Sequence, residues 1–213
     1  MGYQGEAPES VTGGGGFIKE LGIYHFLITE GHDDLGKRKK DGSRSSISGC
    51  TLELVCLEGS VDDSAGKSHS ETLFYPSPNG SKAANEIKSR AIAALLIATN
   101  KMQPSELGGE MAIDQAVIDS MRDCQILMKL RRQKEKDGDG NYTIDTDFLE
   151  LDFANIYHVD DPDVKGVRKD TEALALIPKE HRHPQDWFEF KKKKGSQPAA
   201  AAAAPAASFD DIV

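Results

Sequence analysis

The strongest constraint in this chain of 213 residues is a change of period that happens once. Five short runs have the alternation or the apolar density of β-strands, and one segment between the third and fourth runs repeats every three to four residues instead. The first strand is expected over 17–30, around Ile23, Tyr24, His25, Phe26, Leu27 and Ile28. The second runs from about Ile47 to Leu57, with Cys50, Leu52, Leu54 and Cys56 on one face and Gly49 marking a bulge. Ser70 to Tyr75 gives the third, Ile126, Met128 and Leu130 the fourth, and Phe148 to Tyr157 the fifth, with Leu149, Leu151 and Phe153 on one face. The exception is Ser81 to Asn100, where Ala84, Ile87, Ala91, Ala94, Leu95 and Ala98 form the stripe of an amphipathic helix. A shorter helix is expected around Ile113, Ala116, Val117, Ser120 and Met121.

Strand, strand, strand, helix, strand, strand is the order of an OB-fold, a five-stranded barrel that holds oligonucleotides on strands 2 and 3 and on the loops joining strands 1–2 and 4–5. The expected fold class is therefore mainly β (α+β), a five-stranded OB-fold barrel with a helical insertion between strands 3 and 4. The barrel domain would occupy 17–160, after a glycine-rich leader over 1–16. An irregular extension covers 161–194, with the aromatic patch Trp187, Phe188 and Phe190 near its end, and 195–213 is an Ala/Pro linker with an acidic–hydrophobic tip. A hydrophobic content of 38% and a mean hydropathy of −0.49 fit a chain with some of its length outside a core. No apolar run approaches the ~20 residues of a membrane span, and the N-terminus lacks the basic and apolar regions of a signal peptide. Cys50, Cys56 and Cys124 form no CxxC pair and are expected as buried, reduced thiols, which points to the cytoplasm.

A net charge of −9 argues against nucleic acid unless the basic residues are gathered. They are. Lys37, Arg38, Lys39, Lys40 and Arg44 lie in the loop expected between strands 1 and 2; Lys129, Arg131, Arg132, Lys134 and Lys136 lie at the end of strand 4 and in the loop to strand 5. A basic run in a loop is ordinarily solvated surface, but these are the two loops an OB-fold uses. Cations there would neutralise phosphates. Phe74, Tyr75 and Tyr142 would offer stacking platforms; Tyr24 is a further candidate, although Tyr24 and Phe153 belong by default to the core.

Other chemistries fit less well. Gly66-Lys67-Ser68 lacks the preceding glycine and following helix of a phosphate-binding loop. Asp137, Asp139 and Asn141 begin like a calcium loop, but Tyr142 and Phe148 stand where glycine and glutamate belong, so a hairpin turn explains them. His158, Asp160 and Asp161, or His181 and His183, have no recognised metal-ligand spacing. No catalytic arrangement and no cofactor is indicated.

At the C-terminus Ser208-Phe209-Asp210-Asp211-Ile212-Val213 follows the low-complexity linker. Strand order, linker and tip together resemble bacterial and bacteriophage single-stranded-DNA-binding proteins. That resemblance implies a barrel that coats the strand and a tip (Phe209, Asp210, Asp211 and Ile212) that recruits replication and recombination proteins. In that family the tip ends in Pro-Phe; here it ends in Ile212-Val213. The segments Gly49 to Tyr75 and Phe148 to Asp161 also resemble an uncharacterised phage family found near recombination genes. The expectation is sequence-tolerant binding of single-stranded DNA in replication, recombination or repair, with RNA as a second ligand, homo-oligomerisation open and no membrane partner. The rivals are a protein-interaction adaptor, a structural phage component and a metal-dependent nuclease using His158, Asp160 and Asp161.

Overall fold

The computed structural model describes residues 16–34, 48–61, 63–138 and 141–183, without the side chain of Lys136. Lys37, Arg38, Lys39, Lys40 and Arg44, and Phe209, Asp210, Asp211 and Ile212, lie outside the described residues. The elements are β1 (Gly22–Asp34), β2 (Gly49–Gly59), β3 (Ser68–Phe74), α1 (Lys82–Ala98), α2 (Gln115–Asp119), β4 (Gln125–Lys136), β5 (Tyr142–His158) and α3 (Thr171–Ala175). The strands form one sheet in the order β3-β2-β1-β4-β5, antiparallel throughout.

One face of this sheet makes the core. Phe26 and Ile28 from β1, Cys50, Leu52, Leu54 and Cys56 from β2, Leu73 from β3, Ile126, Met128 and Leu130 from β4, and Leu151 and Ile156 from β5 are buried together. The two-residue period of each strand puts these side chains on one side. Helix α1 covers them. Its N-terminus is set by Ser81, whose hydroxyl accepts from Ala84 N at 3.2 Å. The stripe is wider than the sequence pattern predicts. Ile92, Ala93 and Leu96 are buried beside Ala91, Leu95 and Ala98, while Ile87, one turn earlier, is exposed.

The sheet is not closed into a barrel. β3 and β5 are its two edges, and among the described residues no backbone ladder joins them. A side chain spans the gap instead: Glu71 Oε2 on β3 accepts from the backbone N of Leu151 on β5 at 2.7 Å, and lies 3.1 Å from His69 Nε2. The reason is local. Residues 152–155 of β5 bulge out opposite Lys129 alone, and Phe153 there has φ 56°, so β5 is not straight enough to offer β3 a regular edge.

Several strand limits differ from the sequence pattern. β1 runs through Gly31 to Asp34, which the pattern reads as loop. β4 continues to Lys136 and β5 begins at Tyr142, so the basic residues read as partly in a loop stand on a strand. Gly49 marks no bulge. The β2–β3 register is regular there, and a Cβ at Gly49 would come within 2.6 Å of Leu73 O; glycine permits that approach. The β1–β2 register shifts instead at two other places, between His25 and Phe26, where Leu57 of β2 is the extra residue, and between Ile28 and Glu30, where Thr29 of β1 is.

Residues 161–183 form a strap over the opposite face of β1, β4 and β5. Ile177 of the strap is buried there against Leu127 and Val159. Histidines fasten it. His25 donates from Nε2 to Gln125 Oε1 (2.9 Å) and accepts at Nδ1 from Asp170 N (3.2 Å), while Gln125 Nε2 donates to Ala173 O (2.7 Å). His158 donates to His181 O (2.9 Å) and accepts from Asp160 N (3.0 Å); His183 stacks on it at 3.6 Å and donates to Ile97 O (2.7 Å). The His25 and His158 rings are each used as a neutral donor–acceptor. Burial lowers His25 and His183 to about 4 and lowers His158 as well.

Candidate nucleic-acid interface

The β4–β5 hairpin extends well past the core. Its turn is tied by Asp137, which accepts from Asn141 N (2.9 Å) and Thr143 Oγ1 (2.7 Å). From Tyr142 to Phe148 the side chains are exposed, apart from a half-buried Thr146, because among the described residues no element packs on either face of this arm. Tyr142 is 65% and Phe148 70% exposed.

Lys129, Arg131, Arg132 and Lys134 line β4 behind this arm. Alternation puts Lys129 and Arg131 on the face opposite Met128 and Leu130, and Arg132 and Lys134 on the other. Three of the four face an acid across the ladder. Lys129 Nζ is 2.6 Å from Asp152 Oδ2, Arg131 Nη2 is 2.9 Å from Glu150 Oε1, and Lys134 Nζ is 3.9 Å from Asp145 Oδ1. The hydrogen bond and charge of Asp152 raise the Lys129 ammonium above its ordinary value. Arg132 Nη1 donates to Thr146 O at 3.3 Å.

Phe153, assigned by default to the core, is 51% exposed. Its φ of 56° is a left-handed conformation that a bulky residue rarely adopts, and the bulge turns its ring outward under the Arg131 guanidinium, 4.2 Å from the ring centre. Beside it a cleft of about 330 Å³ opens between the sheet edges and α1. Phe74, Ile87, Leu151 and Phe153 give it an apolar wall, and Glu71, Lys88, Arg131 and Glu150 a mixed polar rim.

The other sequence candidates separate. Phe74, at the end of β3, is partly exposed and joins this cleft. Tyr75 does not serve as a platform: its ring packs against the core, its hydroxyl donates to Asp33 Oδ1 at 2.9 Å, and burial raises its pKa. Tyr24 is fully buried. The outer face of β2 and β3 holds hydroxyls rather than rings or cations. Thr51 meets Thr72 at 3.0 Å, and Ser70 donates to Glu53 Oε1 at 2.9 Å. The sequence pattern missed Phe148, Phe153 and the acids of β5. One signal for the acids was present: Glu150 and Asp152 alternate as Lys129 and Arg131 do, as opposite-charge neighbours in paired strands should.

His158, Asp160 and Asp161 do not assemble a metal site. Both nitrogens of His158 are occupied by backbone groups, and Asp160 is held by Arg182 at 2.8 and 3.0 Å. Among the described residues no group of three or more His, Cys, Asp or Glu side chains could hold a metal ion. Cys50, Cys56 and Cys124 are buried and free, and burial pushes their thiols up to about 12, 11 and 11. Among the described residues no helix is long and apolar enough to cross a membrane. No known protein family matches this chain, and no curated protein matches it.

Proposed function

We propose that this protein binds single-stranded nucleic acid, DNA before RNA, along the β4–β5 hairpin and the adjoining β3–β5 edge. One observation carries the reading: four solvent-accessible rings, Phe74, Tyr142, Phe148 and Phe153, accompany Arg131, Arg132 and Lys134 on one hairpin and its edge. Bases stack on such rings at about 1–3 kcal/mol each, whatever their identity. The strand order supports the OB-type reading. That barrel closes by bringing its third strand to its fifth, and β3 and β5 are the edges here, bridged by Glu71. In this reading the ligand moves from the β2–β3 face, with its hydroxyls and Glu53, to the hairpin. Lys37, Arg38, Lys39, Lys40 and Arg44 would supply further cations for phosphates. The segment 195–213 would recruit replication, recombination or repair proteins through Phe209, Asp210, Asp211 and Ile212.

The test is titration of labelled oligo-dT, duplex and RNA at several salt concentrations. The logarithm of affinity for dT should fall with the logarithm of salt at a slope near −0.7 per phosphate contacted. Absence of binding at low salt, or equal affinity for duplex, overturns the proposal. A second reading, a protein-interaction adaptor, draws on the cross-strand pairing of Lys129, Arg131 and Lys134 and on the apolar cleft. It requires that Arg132→Glu and Lys134→Glu leave no nucleic-acid affinity to lose.

A further inference from the structure

The cations of β4 are not waiting empty. We propose that Asp145, Glu150 and Asp152 of β5 hold the positions that backbone phosphates would take on Lys134, Arg131 and Lys129, so that the protein carries its own competitor for its strand. This rests on the single-strand-binding reading above.

Three observations support it. The pairing is systematic, since each of these cations meets one carboxylate across the same ladder, at 2.6, 2.9 and 3.9 Å. The partners are also unequally exposed. The Lys129 and Arg131 side chains are 47% and 39% exposed, while those of Asp152 and Glu150 are 15% and 31%. In these two pairs the carboxylate lies behind and the cation in front, so a phosphate can approach without first displacing the hairpin; at Lys134, 52% exposed, Asp145 is the more exposed partner at 59%. Finally, pairs this exposed are individually weak, about 0–1 kcal/mol, so exchanging a carboxylate for a phosphate is a small step.

The consequence concerns salt. A cation already neutralised by a carboxylate releases less counterion when it meets phosphate. The wild-type slope should therefore be shallower than its contacts imply, and removing the carboxylates should steepen it.

The experiment compares the full chain with Asp145→Asn/Glu150→Gln/Asp152→Asn, and with Glu86→Gln/Glu110→Gln/Glu172→Gln, which makes the same charge change away from the hairpin. Circular dichroism and urea unfolding check that each is folded, and Glu150→Gln alone serves if the triple variant is not. Labelled oligo-dT is titrated from low to moderate salt. The hairpin variant should bind about tenfold tighter at low salt, with a slope steeper by roughly 1 to 2, and the control should change by less than about threefold. A hairpin variant no tighter than the control overturns the inference; if the wild type still binds dT, the single-strand reading survives. If neither wild type nor hairpin variant binds at low salt, both fall.

Discussion

Phe153 carries two opposed effects on one residue. A non-glycine residue in the left-handed region costs on the order of 1–3 kcal/mol, while its ring gains about 0.5–1 kcal/mol under Arg131. Phe153→Gly should therefore leave stability unchanged or slightly higher, and Phe153→Ala, which keeps the backbone strain, should be about 1 kcal/mol less stable than Phe153→Gly. Both should weaken oligo-dT binding, by roughly 5- to 100-fold if one base stacks there. Chemical denaturation beside the titration separates the effects; stability and affinity falling together in Phe153→Gly would make the ring a packing element.

His25 gives the second residue-scale prediction. Its folded pKa of about 4 lies below the 6.5 of an unfolded histidine, so the unfolded chain binds the extra proton first as the solution is acidified. Its contribution is complete above pH 6.5, falls as the pH drops through that value, and is exhausted near 4. The full span is about 3 kcal/mol, at ~1.4 kcal/mol per pH unit. Urea unfolding at pH 7.5 and pH 5 should show the loss, and His25→Gln should reduce that difference by the share of His25, leaving the part that His158 and His183 contribute in the same direction.

At the scale of elements, the gap between β3 and β5 depends on Glu71. Glu71→Ala leaves Leu151 N–H and His69 without their acceptor and should cost about 1.5–3 kcal/mol. Amide exchange at Leu151 should accelerate; unchanged protection there would show that the carboxylate does not hold the edges. The hairpin arm should behave the other way. Tyr142→Ala with Phe148→Ala removes two rings that are largely exposed and should change stability by less than about 0.5 kcal/mol, while dT affinity drops.

Elements also show where the sequence was legible. Cys50, Leu52, Leu54 and Cys56 read correctly as one face of a strand because each packs into the shared core. The outer half of β4 read as loop because Arg132 and Lys134 meet water and the opposite strand rather than a core, which removes the apolar signal on which strand reading depends. Phe153 misled because a bulge breaks the two-residue period, and nothing in FLELDFANIYH announces it. The strap over 161–183 was opaque for a different reason. Imidazole and backbone carbonyl groups hold it, and those contacts have no period.

For the whole molecule, the three thiols report global opening. Cys50, Cys56 and Cys124 are all buried with raised pKa values, so a disulfide reagent should modify them together, at a rate set by unfolding rather than by the reagent's concentration. Fast modification of one thiol in the native protein would locate a region that opens independently.

The sheet order also has a consequence in time. β1 is the central strand, yet His25 is 100 residues from Gln125 of β4 and 145 from Asp170 of the strap. At the ~5–20 residues per second of synthesis, roughly 5–20 s pass before β4 reaches β1, and longer before the strap arrives. Until then β1, β2 and β3 can form only a meander with one flank open, and the nascent chain presents Phe26 and Ile28 to whatever meets it first.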